Sequence, residues 1–185
     1  CVEGVCQDEV CAPPSCEDGV RNGLEDLVDC GGDCPRCRID GLSCEEIERI
    51  WPAEWAQIED EVLAATNVVR ARGADCGEEG IFEAAGPVQT EARLRCAARR
   101  HSADMGRREY FAHVSPDGGD PRTRIEETGY RYRMFGENIY AGRQEAQEAV
   151  DAWEDSDGHC RNMMNSQFTE LGVGYVHAPN FRFRH

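Results

Sequence analysis

Three segments in the second half of the chain decide its fold: YFAHVSPDG (residues 110–118), GENIYAG (residues 136–142) and AVDAWEDSDGHCRN (residues 149–162). Each segment combines glycine and polar residues with aromatic or aliphatic residues that favour burial. They contain two histidines, His113 and His159, and one glutamate, Glu137. Loops that hold ionisable groups on a rigid apolar framework are a common way to build a small polar cleft. The segments therefore predict a cleft that brings these three side chains together.

Hydrophobic periodicity around the segments predicts four helices, followed by strands that gather late in the chain. The helices are expected at residues 54–72, 90–108, 121–128 and 143–155. Strands are expected at residues 134–141, 171–176 and 181–185, where apolar residues follow the pattern of a strand. Such an order favours an α+β domain in which helices pack around a mixed or antiparallel sheet.

The composition excludes several functional classes. The chain has 36 acidic residues against 20 basic residues and a formal net charge of −16, and acidic residues lie in both its halves. This charge argues against nucleic acid and against anionic lipid surfaces, which both require positive charge. All 20 basic residues are arginine, so lysine chemistry such as Schiff-base formation is absent. No run of 18 apolar residues occurs, so no transmembrane segment is predicted.

Cysteine usage predicts a separate amino-terminal module. Eight of the 11 cysteines lie in residues 1–44, a density that is typical of a disulfide scaffold in an oxidising compartment. Zinc is the alternative, because Cys34 and Cys37 have ligand spacing, but no second pair completes four ligands. Residues 1–15 lack periodicity and are predicted to be an extended lead-in that is either disulfide-tied or partly disordered. The predicted organisation is a stapled segment at 1–44, a linker at 45–53 and a main domain at 54–185.

The remaining cysteines leave several pairings open. Cys76 and Cys96 flank a 19-residue loop and are the expected bridge of the main domain. Cys160 is then either free and buried or paired with the amino-terminal module, with Cys44 as a candidate. Cys1 is either an ordinary first residue or the lipidated first residue of a bacterial lipoprotein, which would leave an even number of cysteines.

Seven motifs in a fixed order carry a family resemblance: HSADM (101–105), YFAHVSPDG (110–118), GY (129–130), GENIYAG (136–142), AVDAW (149–153), GHCRNMMN (158–165) and FTELGVGY (168–175). The sequence resembles the CAP superfamily of cysteine-rich secretory, antigen 5 and pathogenesis-related proteins, and most of all its bacterial secreted branch. The resemblance covers about residues 54–175. It implies an α-β-α sandwich, here preceded by a small disulfide-rich segment, with the family's last strand near residues 181–185 and the domain truncated there.

The resemblance also implies a site. In the family, two histidines and two acids form a cleft tetrad that in several members binds a divalent metal such as zinc. His113, Glu137 and His159 match three of its positions, whereas Ser156 stands where many members have the second acid. Two imidazoles and a carboxylate suit zinc or copper. The alternatives are a hydrogen-bonded network that ties three loops together and a catalytic site. His101, on the apolar face of a predicted helix, is expected to be structural and not a ligand.

Two classes of function follow from these expectations. The first is a secreted or cell-surface binding module whose partner is a lipid, a sterol, or an extracellular protein or envelope ligand. The second is a metal-assisted hydrolase or protease acting on peptides or envelope polymers, with His113, Glu137 and His159 around a metal-bound water. A nucleophile would have to be Ser115, Ser156 or Cys160, but no nucleophile-elbow or HExxH motif supports one.

Overall fold

The computed structural model describes residues 39, 41–143 and 145–178, together with the backbone of 5–7 and 10–12. The chain divides into two compact units, Cys1–Ala53 and Glu54–His185. The expectations for Cys1, for the Cys34 and Cys37 pair and for a strand at 181–185 lie outside the described residues.

The first unit contains a short hairpin and a helix that the sequence pattern does not predict. Strands β1 (Val5–Gln7) and β2 (Val10–Ala12) pair antiparallel, within the segment predicted to be an extended lead-in. Helix α1 (Cys44–Ile50) lies in the predicted linker and starts with a reciprocal cap. The Ser43 hydroxyl accepts from the Glu46 backbone N–H at 3.2 Å, and the Glu46 carboxylate accepts from the Ser43 N–H at 2.7 Å. This capping box stabilises a helix that is too short to show clear periodicity.

The second unit contains five helices and two small sheets among its described residues. The helices are α2 (Ala53–Arg72), α3 (Ala92–Arg108), α4 (Pro121–Glu127), α5 (Ala146–Glu154) and α6 (Asp157–Met164). Strand β3 (Ala74–Asp75) pairs antiparallel with β4 (Ile81–Phe82), and β5 (Gln89–Thr90) pairs parallel with β6 (Glu170–Leu171). The α+β class and the four predicted helices are confirmed, although α5 begins at Ala146 and α6 was not predicted.

The predicted strands are the main local error. Residues 134–141 form no strand, and of the strand predicted at 171–176 only Leu171 lies in a ladder, as the second residue of β6. Side chains donate hydrogen bonds to backbone carbonyls in these segments. The Ser102 hydroxyl donates to the Gly174 carbonyl at 2.7 Å, and the indole N–H of Trp153 donates to the Ile139 carbonyl at 3.1 Å. An extended segment satisfied in this way needs no neighbouring strand.

Gly172 and Gly174 allow the extended carboxyl-terminal segment to lie directly on α3. A Cβ on Gly172 would be 2.0 Å from the Leu94 carbonyl carbon, and one on Gly174 would be 2.3 Å from the Ala98 carbonyl carbon. No side chain fits at such distances, so the backbones meet only because both residues are glycine. This contact fixes residues 172–174 against the helix that carries His101.

The core is closed by a disulfide that differs from the expected one. Cys76 pairs with Cys160, which is 84 residues further along the chain. Both residues are buried within a cluster that includes Val62, Val69 and Val150. The expectations of a Cys76–Cys96 bridge and of a free Cys160, or of its pairing with Cys44, were therefore wrong. Cys96 is also disulfide-bonded, and no described cysteine is free.

The reason for this pairing is the position of α6. The 3₁₀ turn Gly77–Glu79 meets the first residue of α6, because the Asp157 carboxylate accepts from the Glu78 backbone N–H at 3.0 Å. That contact places Cys76, just before the turn, beside Cys160 in the next turn of the helix. Since α6 was not predicted, neither was the proximity.

One single charge and one ion pair are fully buried in the second unit. The Arg70 guanidinium donates to four backbone carbonyls, those of Gly86 (2.8 Å), Met163 (2.5 Å), Asn165 (3.0 Å) and Phe168 (2.9 Å). The buried ion pair joins Glu59 and Arg99, whose nearest N–O distance is 2.7 Å. The four carbonyls satisfy the buried Arg70 side chain. They also tie the loop after α6 to α2.

Candidate functional site

A charged network joins the loop after α3 to α4 and to the GENIYAG segment. The His113 Nδ1 atom lies 2.7 Å from Glu137 Oε1, and Arg124 Nη2 lies 2.7 Å from Glu137 Oε2. The same guanidinium donates to the backbone carbonyls of His113 and Gly119, each at 3.0 Å. Because an ionised carboxylate only accepts hydrogen bonds, His113 Nδ1 carries the proton in this arrangement.

Local structure explains how these side chains are held. Asp120 caps α4 by accepting from the Thr123 backbone N–H at 2.8 Å, and Pro121 occupies the first helical position. This start sets the rotation of the helix, so that Arg124 and Ile125 both face inward and are buried. The cap therefore aims Arg124 at Glu137.

The second histidine is fixed by different partners. His159, in the first turn of α6, places Nδ1 2.9 Å from the Ser156 hydroxyl, and its carbonyl accepts from the Asn138 amide at 3.1 Å. Burial lowers the pKa of His159, and the charge of His113 lowers it further. The two imidazoles therefore influence each other, although no hydrogen bond joins them.

The structure thus brings two of the three predicted residues into direct contact and holds the third beside them. Ser156, at the position of the family's second acid, orients His159 in place of a carboxylate. Sequence reasoning missed Arg124. A helix that packs on a core buries one of its faces. In the seven-residue helix α4, Arg124 is next to the apolar Ile125, and this was the signal that could have identified it.

The three predicted metal ligands, His113, Glu137 and His159, make hydrogen bonds with protein groups in this arrangement. Both oxygens of Glu137 are already bonded, one to His113 and the other to Arg124. Across the described part of the chain, no group of three His, Cys, Asp or Glu side chains is placed to hold a metal. The arrangement is that of a hydrogen-bonded network in which Glu137 positions His113.

The three candidate nucleophiles differ in their surroundings. Cys160 is in the disulfide and so has no thiolate to offer. The Ser115 hydroxyl lies 3.1 Å from the Tyr110 hydroxyl, which itself donates to the Asp104 carboxylate at 2.7 Å. Ser156 alone lies next to a histidine, at the Nδ1 atom described above. That contact spans three residues at the start of a helix, where serine side chains commonly make local bonds.

His101 is buried and bonded as expected of a structural residue. It is 3 % exposed, and its Nε2 atom lies 3.0 Å from the Ala112 carbonyl. Burial lowers the pKa of His101, with a further decrease from the nearby Arg124 charge. Its neutral ring connects α3 to the loop that presents His113.

A cavity of about 440 Å³ lies behind the charged network. Its walls come from the five helices α2 to α6 and from residues 130–140 and 167–175. Apolar side chains form much of the surface, among them Leu94, Met105, Ile125, Phe135 and Leu171. Glu137 and Arg124 belong to the same wall, so the charged network and the cavity are parts of one site.

Comparisons with known proteins agree with this fold. The sequence model of the cysteine-rich secretory protein (CAP) family matches residues 63–184. The chain is 35% identical over 127 residues to uncharacterized protein YkwD of Bacillus subtilis (strain 168), covering 69% of this chain and 46% of the relative. It is 32% identical over 125 residues to uncharacterized membrane protein YlbC of the same organism, covering 65% of this chain and 33% of the relative.

A solved structure supports the same assignment. The fold matches an extracellular protein containing an SCP domain from Bacillus anthracis str. Ames with a TM-score of 0.57 and 29% identity, covering 74% of this chain and 41% of that one. The chain therefore spans less than half the length of each of these relatives. The fold likeness confirms the predicted α-β-α sandwich. The chain belongs to the CAP family of cysteine-rich secretory proteins, in its bacterial branch.

Proposed function

We propose that this protein is an extracellular binding module that takes an apolar or amphiphilic ligand, of the lipid or sterol class, in the cavity behind Glu137. The extracellular setting is supported by the relative from Bacillus anthracis, which is described as extracellular, and by the disulfides. Within the described ranges, no helix is long and apolar enough to cross a membrane.

The cavity is the observation that carries the proposal. Ligand sites in proteins usually occupy about 300–1,000 Å³ and are lined mainly by hydrophobic and aromatic side chains with a few polar groups. The volume of about 440 Å³ and the mixed wall of aliphatic and aromatic residues agree with both criteria.

Polar groups in the wall are largely satisfied by the protein itself. His101 bonds the Ala112 carbonyl, Arg70 bonds four carbonyls, and Arg124 bonds Glu137. A polar ligand in the interior would therefore leave its own hydrogen-bonding groups without partners, at a cost of roughly 1–3 kcal/mol each. The interior selects for hydrocarbon.

Filling the cavity is expected to weaken binding of an apolar probe. We expect 1-dodecanol to bind saturably to the wild-type protein, measured by calorimetry and by fluorescence of Trp153, which lines the cavity. The extra volume of Leu94→Phe should lower the affinity by about tenfold, because overpacking costs roughly 1–3 kcal/mol. Val68→Phe is the matched control, since Val68 is 64% exposed on α2 and does not line the cavity.

Thermal unfolding of both variants separates loss of binding from loss of folding. The proposal is wrong if the wild-type protein shows no saturable binding. It is also wrong if both phenylalanine variants are folded and bind 1-dodecanol with wild-type affinity.

The alternative function, a metal-assisted hydrolase or protease, has less support. A hydrolytic metal needs at least three protein ligands and an open position for water. Glu137 is engaged on both oxygens, and Ser156 replaces the acid that would complete the family's tetrad. The arrangement instead favours a structural role for the three predicted residues.

Metal content distinguishes the two roles. After dialysis, we expect native protein to carry no stoichiometric zinc by mass spectrometry. The double variant His113→Ala, His159→Ala should lower the free energy of unfolding by about 1–2 kcal/mol, because it removes two partly exposed hydrogen bonds. About one zinc per chain, lost in the double variant, would establish the metal site and favour the hydrolase over the structural role.

A further inference from the structure

Three arginines, two in the cavity wall and one beside it, form no ion pair in the part of the chain that the structure describes. Within the described residues, Arg122, Arg131 and Arg133 make no side-chain hydrogen bond or salt bridge. Many other arginines of the domain do, and these pairs include Arg72–Glu154, Arg93–Glu91, Arg95–Asp60, Arg107–Asp104, Arg124–Glu137 and Arg161–Glu79. In a chain with 36 acidic and 20 basic residues, three unpaired cations in one place require an explanation.

These arginines surround the aromatic end of the cavity. Arg131 and Arg133 are exposed, and both contribute to the cavity wall together with Tyr132 and Phe135. The Arg122 guanidinium carbon lies 6.0 Å from the centre of the Phe135 ring, and that ring lies 5.2 Å from Tyr132 in an edge-to-face contact. The positive charge is therefore concentrated where the apolar cavity meets solvent.

The acids nearest to this cluster are already bonded elsewhere. Asp120 accepts from the backbone N–H and the hydroxyl of Thr123 at 2.8 and 2.9 Å, which lowers its pKa more than Arg122 does. Glu126 accepts from the Tyr132 hydroxyl at 3.0 Å. These carboxylates reduce the local potential, but neither is within salt-bridge distance of the three guanidinium groups. An incoming anion would thus be the first direct partner of the arginines.

The number and type of cations favour a phosphate-like group. Arginine presents planar pairs of N–H donors that match phosphate oxygens, and a phosphate monoester carries about −1.5 to −2 charges at neutral pH. The overall charge of −16 opposes binding to an extended anionic surface, so a single molecule is the better partner.

We infer that the ligand is an anionic amphiphile, with its hydrocarbon chain in the cavity and a phosphate-type head group on Arg122, Arg131 and Arg133. The inference rests on the proposed function, because the cavity supplies the apolar half of the ligand. It adds that the head group is anionic and binds at the aromatic rim.

Three probes test the two halves of the ligand separately: dodecyl phosphate below its aggregation concentration, 1-dodecanol and inorganic phosphate. We expect dodecyl phosphate to bind about tenfold more tightly than 1-dodecanol, since hydrogen bonds between charged groups are stronger than those between neutral groups. The double variant Arg131→Gln, Arg133→Gln should remove most of this preference, measured as the ratio of the two affinities in the same variant. The matched control is Arg143→Gln, Arg161→Gln, because these arginines are 82% and 52% exposed and do not line the cavity.

Each contrary outcome identifies what fails. Equal affinity for the two amphiphiles would overturn the head-group inference and leave the proposed function intact. Inorganic phosphate binding as tightly as dodecyl phosphate would also overturn it, because the anion site would then be independent of the cavity. Binding of neither amphiphile would contradict the proposed function itself. If the control variant lost as much of the preference as Arg131→Gln, Arg133→Gln, the preference would come from the overall charge of the protein. That result would overturn the head-group inference.

Discussion

Replacing Cys76 and Cys160 by alanine should lower the free energy of unfolding by about 4–5 kcal/mol. The bridge closes a long loop, with a sequence separation of 84 residues. In the loop-entropy description, removing such a cross-link raises the conformational entropy of the unfolded chain, which stabilises the unfolded state by about 4–5 kcal/mol. Both cysteines are also buried in the core, so no contact with solvent replaces the bond that the substitution removes. Chemical denaturation of the native protein and the double variant measures the difference.

The single variants serve as the control for this prediction. Cys76→Ala and Cys160→Ala break the same bond, so each should lose nearly as much stability as the double variant, and the effects should not add. Peptide mapping under non-reducing conditions gives a direct check of the pairing. A fragment that links Cys76 to Cys96 would contradict the structure and restore the expectation drawn from loop length.

What the sequence pattern predicts well is local. The helix at residues 54–72 follows from apolar residues at helical spacing, and α4 follows from the Asp120 cap and Pro121, as the structure confirms. Neither feature depends on distant parts of the chain. The family motifs added the sandwich, because their order along the chain is specific to one fold.

What the pattern misses depends on contacts between distant residues. The expected strand at 134–141 is absent because Trp153, on a helix more than ten residues away, bonds the Ile139 carbonyl. The Cys76–Cys160 bridge depends on α6 meeting the turn after Cys76. Periodicity counts residues along the chain and contains no information about either contact.

The candidate site shows the same division. His113, Glu137 and His159 were identified from motifs, but the chemistry of Glu137 depends on Arg124, which no motif marked. An arginine opposite a carboxylate turns a potential metal ligand into one member of an ion pair. The unpaired arginines at the cavity rim were equally hidden, because only the structure shows which charges already have partners.

Replacing Glu59 by glutamine should lower the free energy of unfolding by about 3–5 kcal/mol, because it removes the carboxylate charge that faces the buried Arg99 guanidinium. Glu59 and Arg99 are each 1% exposed, and Arg99 donates to both carboxylate oxygens at 2.7–3.1 Å. The same carboxylate accepts from the Tyr175 backbone N–H at 3.1 Å, so it also holds the carboxyl-terminal segment that lines the cavity.

The neighbouring acid provides a matched control on the same helix. Asp60 bonds Arg95 at 2.7 Å, but its side chain is 63% exposed, so Asp60→Asn should cost less than about 1 kcal/mol. Denaturant titration of the two variants under identical conditions compares a buried charge with a solvated one. Equal losses would show that the Glu59–Arg99 pair is not buried in solution as it is in the structure.

A second substitution tests why the pair is costly to break. Burial raises the pKa of Glu59, although Arg99 lowers it, so the loss of solvation outweighs the attraction between the charges. The double variant Glu59→Gln, Arg99→Met removes both charges while the glutamine oxygen still accepts from Tyr175. It should therefore be more stable than Glu59→Gln alone, because it no longer buries the Arg99 charge against a neutral glutamine. A double variant less stable than the single one would mean that the ion pair itself, and not the avoidance of an isolated charge, stabilises the fold around the cavity.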